Sequence, residues 1–297
     1  MNEDELVAAL RARLGASGPR IPTGIGDDAA VLDDGTILSV DAVVEGVHFE
    51  RAWLALGDIG YRGTSAALSD LAAMGAAPVA ILSSLTAPDA QTALAIMDGA
   101  GEAARAHGAT IAGGNLARGR HVELHTTAVG RARAPWLRSG ARPGDAVYLT
   151  GTVGAAALGW RALARGVELP AFAARWRRPR ARFDLVPHLA PSACVDVSDG
   201  VALDLSRLCV ASGVGARIEL GRLPLAEGFA AEARALGLDP DALALEGGED
   251  YELLFTMPAS LPPELATPIG EIVAGEGVHV LGRDGTFALH DGGHRHF

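Results

Sequence analysis

Hydrophobic and polar positions along the chain switch repeatedly between helical spacing and short apolar runs. Helical spacing predicts helices in MNEDELVAALRARL, in GDIGYRGTSAALSDLAAMGA and in DAQTALAIMDGAGEAARAHG, the last ending at Gly108. Short apolar runs predict strands in VAILSSLTA, TIAGG and VELHTTAVG. In GIGDDAAVLDDGTILSVDAVV, Asp-Asp-Gly separates two apolar runs and predicts a hairpin. The first half of the chain therefore contains both helices and strands.

The second half repeats this mixture after an interruption. RARAPWLRSGARPGD is rich in arginine, proline and glycine, and we expect the domain boundary there, near residues 132–138. Beyond it, AVYLTGTVGAAALGWRALARG and CVDVSDGVALDLSRLCVASG predict strand, turn and helix, with Ser198 and Asp199 suited to the helix N-terminus at Val201. LALEGGEDYELLFTM predicts a glycine turn feeding a strand. Both halves indicate an α/β or α+β protein.

Composition narrows the class of protein. The chain has 297 residues, of which 49% are hydrophobic and 21% charged, which is typical of a folded protein with room for two domains. A net charge of -11 argues against nucleic acid or an anionic membrane as a partner. Residues 71–88 carry no charge, but Gly75 and Pro78 favour a helix running into a buried strand over a membrane span. MNEDELVAAL lacks the features of a secretion signal, so we expect a cytoplasmic protein.

All the basic residues are arginine, since the sequence contains no lysine. This excludes a Walker A lysine, the strand lysine of protein kinases and every Schiff-base mechanism. The arginine run RWRRPRARF favours a solvated basic face over a ligand site. GTVG lacks the GxGxxG pattern and favours a close strand-to-helix turn over a dinucleotide site. Two separated cysteines, Cys194 and Cys209, indicate buried apolar residues and no zinc or redox motif.

Acidic residues recur wherever an apolar element meets a glycine or serine turn. The pattern occurs in IGDDAAV, SVDAVVEGVHF, LSDLAAMGA, VDVSDGVA and EGGEDYELLF. Each instance alone fits a turn or a helix cap, but five together indicate hard oxygen ligands. Without histidine or cysteine partners such ligands suit Mg²⁺, which binds one or two carboxylates together with substrate phosphates. The twelve-residue spacing of a calcium EF-hand is missing.

These motifs, with RSGARPGDAVYLTGTVG and the terminal GHRHF, resemble those of the thiamine-monophosphate kinase family, in the superfamily that includes aminoimidazole ribonucleotide synthase. The resemblance runs nearly end to end. It implies a two-domain α/β (α+β) fold: a mixed-sheet domain over 1–134 that binds metal and ATP and pairs in a homodimer, and an α/β domain over 135–297 that closes the active site. It also implies direct transfer of the γ-phosphoryl group of ATP to thiamine monophosphate, with several Mg²⁺ ions and ATP as co-substrate.

The resemblance also implies roles for individual residues. Asp41, Asp70 and Asp199 would be catalytic. The other metal ligands would be Asp28, Ser39, Val40, Asn115 and Asp196, with Asp41, Asp70 and Asp199 shared between the two sets. Gly114, Arg138 and Ser198 would contact ATP, and His48, Glu249 and His294 would contact the thiamine phosphate. Asp27 would support the turn, and a histidine merely satisfied at a strand end is the alternative for His48.

The sequence departs from the family pattern at several of these positions. Val40 replaces a threonine, Ala67 an asparagine, Asn115 an aspartate and Arg62 a lysine. Valine still offers its carbonyl, but Asn115 offers a neutral ligand in place of a charged one, so the number of metals stays open. Two alternatives follow: a relative acting on another acceptor, as in purine or selenophosphate synthesis or hydrogenase maturation, and a catalytically weakened nucleotide-binding protein. EGVHF, and the lack of reactive cysteines near either end, argue against another acceptor.

Overall fold

The chain folds into two compact units in the computed structural model, which describes all residues except Ala16, Ala259, Pro263, Asp291 and Phe297. The N-terminal unit contains Leu14–Pro135 and Arg177–Phe183, and the C-terminal unit contains Met1–Arg13, Trp136–Trp176 and Asp184–Phe297. The first residues thus fold with the C-terminal unit, and a short later segment folds with the N-terminal unit. The sequence analysis anticipates neither exchange, and the extents of the two functional domains stay a prediction.

The chain begins with helix α1 (Glu3–Leu14). The N-terminal unit then contains one five-stranded sheet and two long helices: β1 (Ala30–Val31), β2 (Thr36–Val44), α2 (Leu56–Ala73), β3 (Ala77–Ala87), α3 (Ala90–Ala106), β4 (Thr110–Arg118) and β5 (Glu123–Arg131). The strand order is β1-β2-β5-β3-β4, with only β3 and β4 parallel among these pairs. The predicted hairpin is confirmed, since Val31 pairs with Ile37.

Alternation along the strands of the N-terminal unit gives the sheet two different faces. Ile37, Ser39 and Val43 of β2 are buried on the side against which α2 packs. On the opposite face, Val40 and Leu82 are exposed apolar residues. The uncharged stretch at 71–88 is the end of α2 followed by β3, as the sequence predicts. No helix among the described residues is long and apolar enough to cross a membrane.

The C-terminal unit contains one seven-stranded sheet of order β12-β11-β8-β10-β6-β9-β7. Its elements are β6 (Ala146–Leu149), α4 (Ala155–Leu163), α5 (Pro170–Arg177), β7 (Ala193–Asp196), α6 (Val201–Ser212), β8 (Gly215–Glu219), α7 (Phe229–Ala235), α8 (Pro240–Glu246), β9 (Leu253–Met257), β10 (Thr267–Val273), β11 (Gly277–Leu281) and β12 (Phe287–His290). The three predicted turns around GTVG, VSDG and GGEDYE are confirmed, each joining a helix and a strand. Cys194 and Cys209 are buried free thiols, as expected.

The arginine run is exposed at Arg175, Arg178 and Arg180, as its composition favours, but it is also anchored to the N-terminal unit. Arg178 makes ion pairs with Asp58, at 2.7 Å, and with Glu102, at 2.6 Å. The Ala181 N–H donates to Nε2 of the buried His107 at 3.1 Å. The run is therefore solvated in part, and acidic and aromatic side chains of the N-terminal unit also hold 177–183 in place.

Candidate active site

Four of the predicted metal ligands line one cavity of about 680 Å³ in the N-terminal unit. These are Asp28, Ser39, Asp70 and, by its position on β2, Val40. The Ser39 hydroxyl donates a hydrogen bond to Oδ2 of Asp70 and so joins β2 to α2 at the cavity. Asp27 also lines the cavity, and its Oδ1 accepts from the N–H of Asp28 at 3.0 Å, which agrees with the predicted turn role.

Asp41 lies on the same face of β2 as Ser39. In the sheet register Asp41 pairs with Thr126, Thr126 with Ser83, and Ser83 with Gly114, so one row crosses four strands. Gly114 has a φ of 155°, and a Cβ there would lie 1.8 Å from the carbonyl oxygen of Ser83. Only glycine fits this approach, and the exposed backbone beside it suits close contact with a phosphate.

Asn115 lies on the other face of the sheet. Its register partners are Ser84, then His125, then Ala42, one residue along from the row of Asp41. Asp41 and Asn115 belong to strands separated by three inter-strand spacings, which corresponds to about 14 Å. Within a single chain, therefore, these two predicted ligands are too far apart to share one ion. The two substituted positions in α2, Arg62 and Ala67, are both buried.

His48 lies in the loop that follows β2. The N–H of Val44 donates to Nδ1 of His48 at 3.0 Å, so the neutral ring carries its proton on Nε2. Glu45 fixes the same loop, because its two oxygens accept from the Val122 N–H at 2.9 Å and from Nε of Arg51 at 2.6 Å. The EGVH motif thus presents the imidazole in one tautomer on a braced loop.

In the C-terminal unit, hydrogen bonds join the VSDG and GGEDYE turns. The Glu249 N–H donates to the carbonyl of Ser198 at 2.7 Å, and the Tyr251 N–H donates to that of Val197 at 2.9 Å. Glu249 and Tyr251 have positive φ values of 65° and 52°, which are unusual for residues other than glycine and typical of functional turns. This backbone pairing places the predicted acceptor residue Glu249 beside the predicted ATP contact Ser198.

Two further acidic residues of GGEDYE are buried, and the sequence analysis assigns them no role. Asp250 accepts from the N–H groups of Gly154 at 2.6 Å and Ala156 at 3.1 Å, and so caps α4. Burial, aided by the charge of Glu252, raises the pKa of Asp250 to about 7 against these two hydrogen bonds. Glu252 binds the Thr150 hydroxyl at 2.7 Å and the Arg175 guanidinium at 2.9 Å. Their position within a motif dense in carboxylates was the available signal.

The remaining predicted residues of this unit lie near the two ends of α6. Asp196 ends β7 and is buried, and the Asp199 carbonyl accepts from the His294 N–H at 2.9 Å. The Arg138 carbonyl accepts from the Ser212 hydroxyl at 3.0 Å at the other end of the helix. The terminal Phe297, part of the GHRHF motif, lies outside the described residues.

Asp204, which the sequence analysis does not single out, caps α6 in place of Ser198 and Asp199. Its Oδ2 accepts from the N–H groups of Asp199 and Gly200, both at 3.0 Å. The predicted cap is wrong because Gly200 is the N-cap residue and makes no side-chain cap. Burial, and then the charge of Asp199, raises the pKa of Asp204 well above its usual range.

The donor chemistry fits Mg²⁺ better than a metal held by protein groups alone. Among the described residues, no group of three or more histidine, cysteine or acidic side chains is gathered closely enough to hold an ion. Mg²⁺ does not require one, because it is commonly bound by one or two carboxylates with phosphate and water. Asp28 and Asp70 with the Ser39 hydroxyl form such a set of hard oxygens around the cavity. The individual metal assignments stay predictions.

Comparisons with known protein families match both halves of the chain. Residues 26–132 match the model of the AIR synthase related protein, N-terminal domain, and residues 142–282 match that of its C-terminal domain. A thiamine-monophosphate kinase of Methanopyrus kandleri is 34% identical over 286 residues, covering 94% of this chain and 92% of the relative.

Solved structures agree with this assignment. A structure described as AaThiL complexed with AMPPCP and TMP has a TM-score of 0.90 at 32% identity, covering all of this chain and 97% of the other. Thiamine monophosphate kinase from Aquifex aeolicus has a TM-score of 0.85 at 30% identity, covering 98% of this chain and all of the other. The chain therefore belongs to the thiamine-monophosphate kinase family of AIR synthase related proteins.

Proposed function

We propose that this protein transfers the γ-phosphoryl group of ATP to thiamine monophosphate, giving thiamine diphosphate, with the help of several Mg²⁺ ions. The observation that carries the proposal is the cavity at which Asp28, Ser39 and Asp70 meet, in a chain without lysine. Family membership and the similarity to a structure complexed with AMPPCP and TMP support the choice of substrates. Because ATP is a cytoplasmic metabolite, we place the reaction in the cytoplasm.

Charge is the main obstacle to this reaction. ATP and a phosphate monoester together bring about six negative charges, and phosphoryl transfer depends chiefly on positioning and electrostatic stabilisation. Asp28, Ser39, Asp41 and Asp70, with the Val40 carbonyl and with Asp196 and Asp199, would hold Mg²⁺, which supplies the neutralising charge when bound. Gly114 offers a bare backbone to the nucleotide, and Arg138 and Ser198 would bind it as well.

The acceptor would be held by three residues of different chemistry. Glu249 is a carboxylate suited to the cationic and amino-bearing rings of thiamine. His48 donates from Nε2 because Nδ1 accepts from Val44, so it can bind a phosphate oxygen without changing tautomer. His294 supplies an aromatic ring at the end of the chain.

The proposed assembly is a homodimer formed through the open face of the N-terminal sheet. Val40, Val79 and Leu82 are exposed apolar residues of this sheet, and burying such a patch favours association.

Turnover against a panel of acceptors tests the function. We expect ATP-dependent formation of thiamine diphosphate from thiamine monophosphate, and no comparable product with aminoimidazole precursors or selenide. Asp70→Asn should lower turnover at least about tenfold, because it weakens a metal ligand. Asp34→Asn is the matched control. Asp34 lies away from the cavity and forms an exposed ion pair with Arg131, with 3.5 Å between the nitrogen and the oxygen.

The outcomes of these assays separate the three functional hypotheses and test the role of Asp70. A wild-type protein that binds ATP but forms no product with any acceptor would favour the weakened nucleotide-binding alternative. Product formed only with a different acceptor would favour the other-substrate alternative. Equal turnover of the Asp70 and Asp34 variants at limiting Mg²⁺ would remove Asp70 from the metal site.

A further inference from the structure

Helix α1 is attached to the C-terminal unit without contributing to its core. It buries no side chain, and its Val7, Leu10 and Leu14 are exposed. Its first turn is acidic, with Glu3, Asp4 and Glu5 in succession. Since the helix gains little from hydrophobic burial, the position of its first turn must depend on polar contacts.

Glu3 and Asp4 make these contacts with two different parts of the unit. Asp4 accepts from Nε of Arg207 on α6 at 3.1 Å and from Nε of Arg295 in the C-terminal tail at 3.4 Å. Glu3 accepts from the backbone N–H of His296 at 2.9 Å and lies 3.6 Å from Nη2 of Arg207. We call Glu3, Asp4, Arg207 and Arg295 the acidic clasp.

Arg207 connects the clasp directly to the candidate site. Its Nη1 binds Oδ2 of Asp199 at 2.5 Å and Oδ1 of the buried Asp204 at 3.3 Å. The Arg207 side chain is 16% exposed, so solvent screens these pairs less than ordinary surface pairs. Through one side chain, the first turn of α1 is therefore linked to a predicted metal ligand.

The C-terminal tail runs between the clasp and the same aspartate. The His294 N–H donates to the Asp199 carbonyl at 2.9 Å, while the next two residues bind Asp4 and Glu3. The rings of His294 and His296 meet edge to face, with their centroids 5.0 Å apart. His294, which would contact the thiamine phosphate, is thus held by its own backbone N–H and by the two residues that follow it.

We propose that Asp4 and Arg207 are positioning residues for the acceptor: the acidic clasp sets the C-terminal tail against Asp199 and so places His294 toward thiamine monophosphate. The inference rests on the proposed function for its substrate, but the clasp itself is defined by contacts within one unit. The proposal gives the first turn of α1 a specific effect on acceptor binding, although this turn carries no predicted site residue.

Asp4→Asn tests the proposal, with Glu5→Gln as the matched control. Glu5 lies on the same turn and undergoes the same loss of charge, but its contacts are with Asn2 and the terminal amine of Met1. We expect Asp4→Asn to raise KM for thiamine monophosphate about three- to tenfold while KM for ATP and kcat stay within about twofold. Amide hydrogen exchange at residues 294–296 should become faster in Asp4→Asn and remain unchanged in Glu5→Gln.

The two readouts separate this inference from the proposed function. Unchanged exchange of the tail amides in Asp4→Asn would overturn the clasp whatever the activity. Faster exchange with equal losses for ATP and acceptor would reduce the clasp to a structural role and overturn the positioning proposal. If the wild-type protein makes no thiamine diphosphate, the proposed function fails, and the exchange at 294–296 alone decides whether the clasp holds the tail.

Discussion

At the scale of single residues, Asp250 makes stability depend on pH. Burial raises the pKa of Asp250 from 3.8 to about 7, so the folded protein retains a proton that the unfolded chain loses. The resulting stabilisation is full below about pH 4 and is lost as the pH rises toward 7. Asp250→Asn does not titrate; its single amide oxygen keeps one of the two hydrogen bonds, which Gly154 and Ala156 donate to different oxygens of Asp250, and loses the other at every pH.

The measurement is the free energy of unfolding in urea for both proteins across this range. The wild type should lose stability relative to Asp250→Asn by up to about 1.4 kcal/mol for each pH unit between roughly pH 4 and pH 7. Taking the difference between the proteins cancels the other titrating groups. A constant difference over the whole range would show that Asp250 has an ordinary pKa.

The sequence identifies the carboxylates that lie at turns. It does not identify the buried carboxylates that accept hydrogen bonds from the backbone of those turns. Asp28, Asp70 and Asp199 are visible because each interrupts an apolar run beside glycine or serine. Asp250 belongs to one of these motifs and Asp204 follows another by two residues, yet their importance depends on burial and on which N–H groups they face. Neither property can be read from local spacing, because both are set by residues that are distant in the chain.

At the scale of elements, two glycines of α3 have opposite roles. A Cβ on Gly99 would lie 1.8 Å from the carbonyl oxygen of Gly57 in α2, so only glycine lets these helices approach so closely. A Cβ on Gly101 would meet only the flexible Arg105 guanidinium, at 3.2 Å. Gly99→Ala should destabilise the protein by about 1–3 kcal/mol or more, whereas Gly101→Ala should stabilise it by about 0.5–1 kcal/mol.

Denaturant unfolding of the two variants beside the wild type checks this difference. Both substitutions add one methyl group to the same helix, so helix propensity is shared and only the interhelical contact differs. Similar stabilisation by both alanines would mean that α2 and α3 do not approach at Gly57 and Gly99.

Nearly all the elements that position the site could be predicted from periodicity and turn residues, but their grouping could not. The α1 helix and the 177–183 segment join units that their sequence neighbours do not share. The contacts that hold them cross long distances in sequence: Arg207 with Asp4 spans 203 residues, and Arg178 with Glu102 spans 76. Charged residues in the local sequence carry no signal of such distant partners, so the ion pairs of the arginine run cannot be predicted from its composition.

At the scale of the whole molecule, the N-terminal sheet of one chain leaves two predicted ligands apart. Asp41 points to the helix-covered face of β2, whereas Asn115 lies on the open face of β4, about 14 Å away. If a second copy covers the open face, as proposed, it covers Asn115 but leaves the Asp41 side chain on the other side of the sheet. Substitutions at the two positions should therefore have separable effects, on association for Asn115 and on metal binding for Asp41.

Asn115→Arg, with Asp41→Asn as its control, tests the open face as the interface. Asn115 is exposed on that face, so an arginine there would place a charge in the proposed interface, and we expect light scattering to show a shift from dimer toward monomer. Asp41→Asn lies on the other face and should stay dimeric while its turnover falls at least about tenfold. An Asn115→Arg protein that is as dimeric as the wild type would show that the second copy does not cover this face.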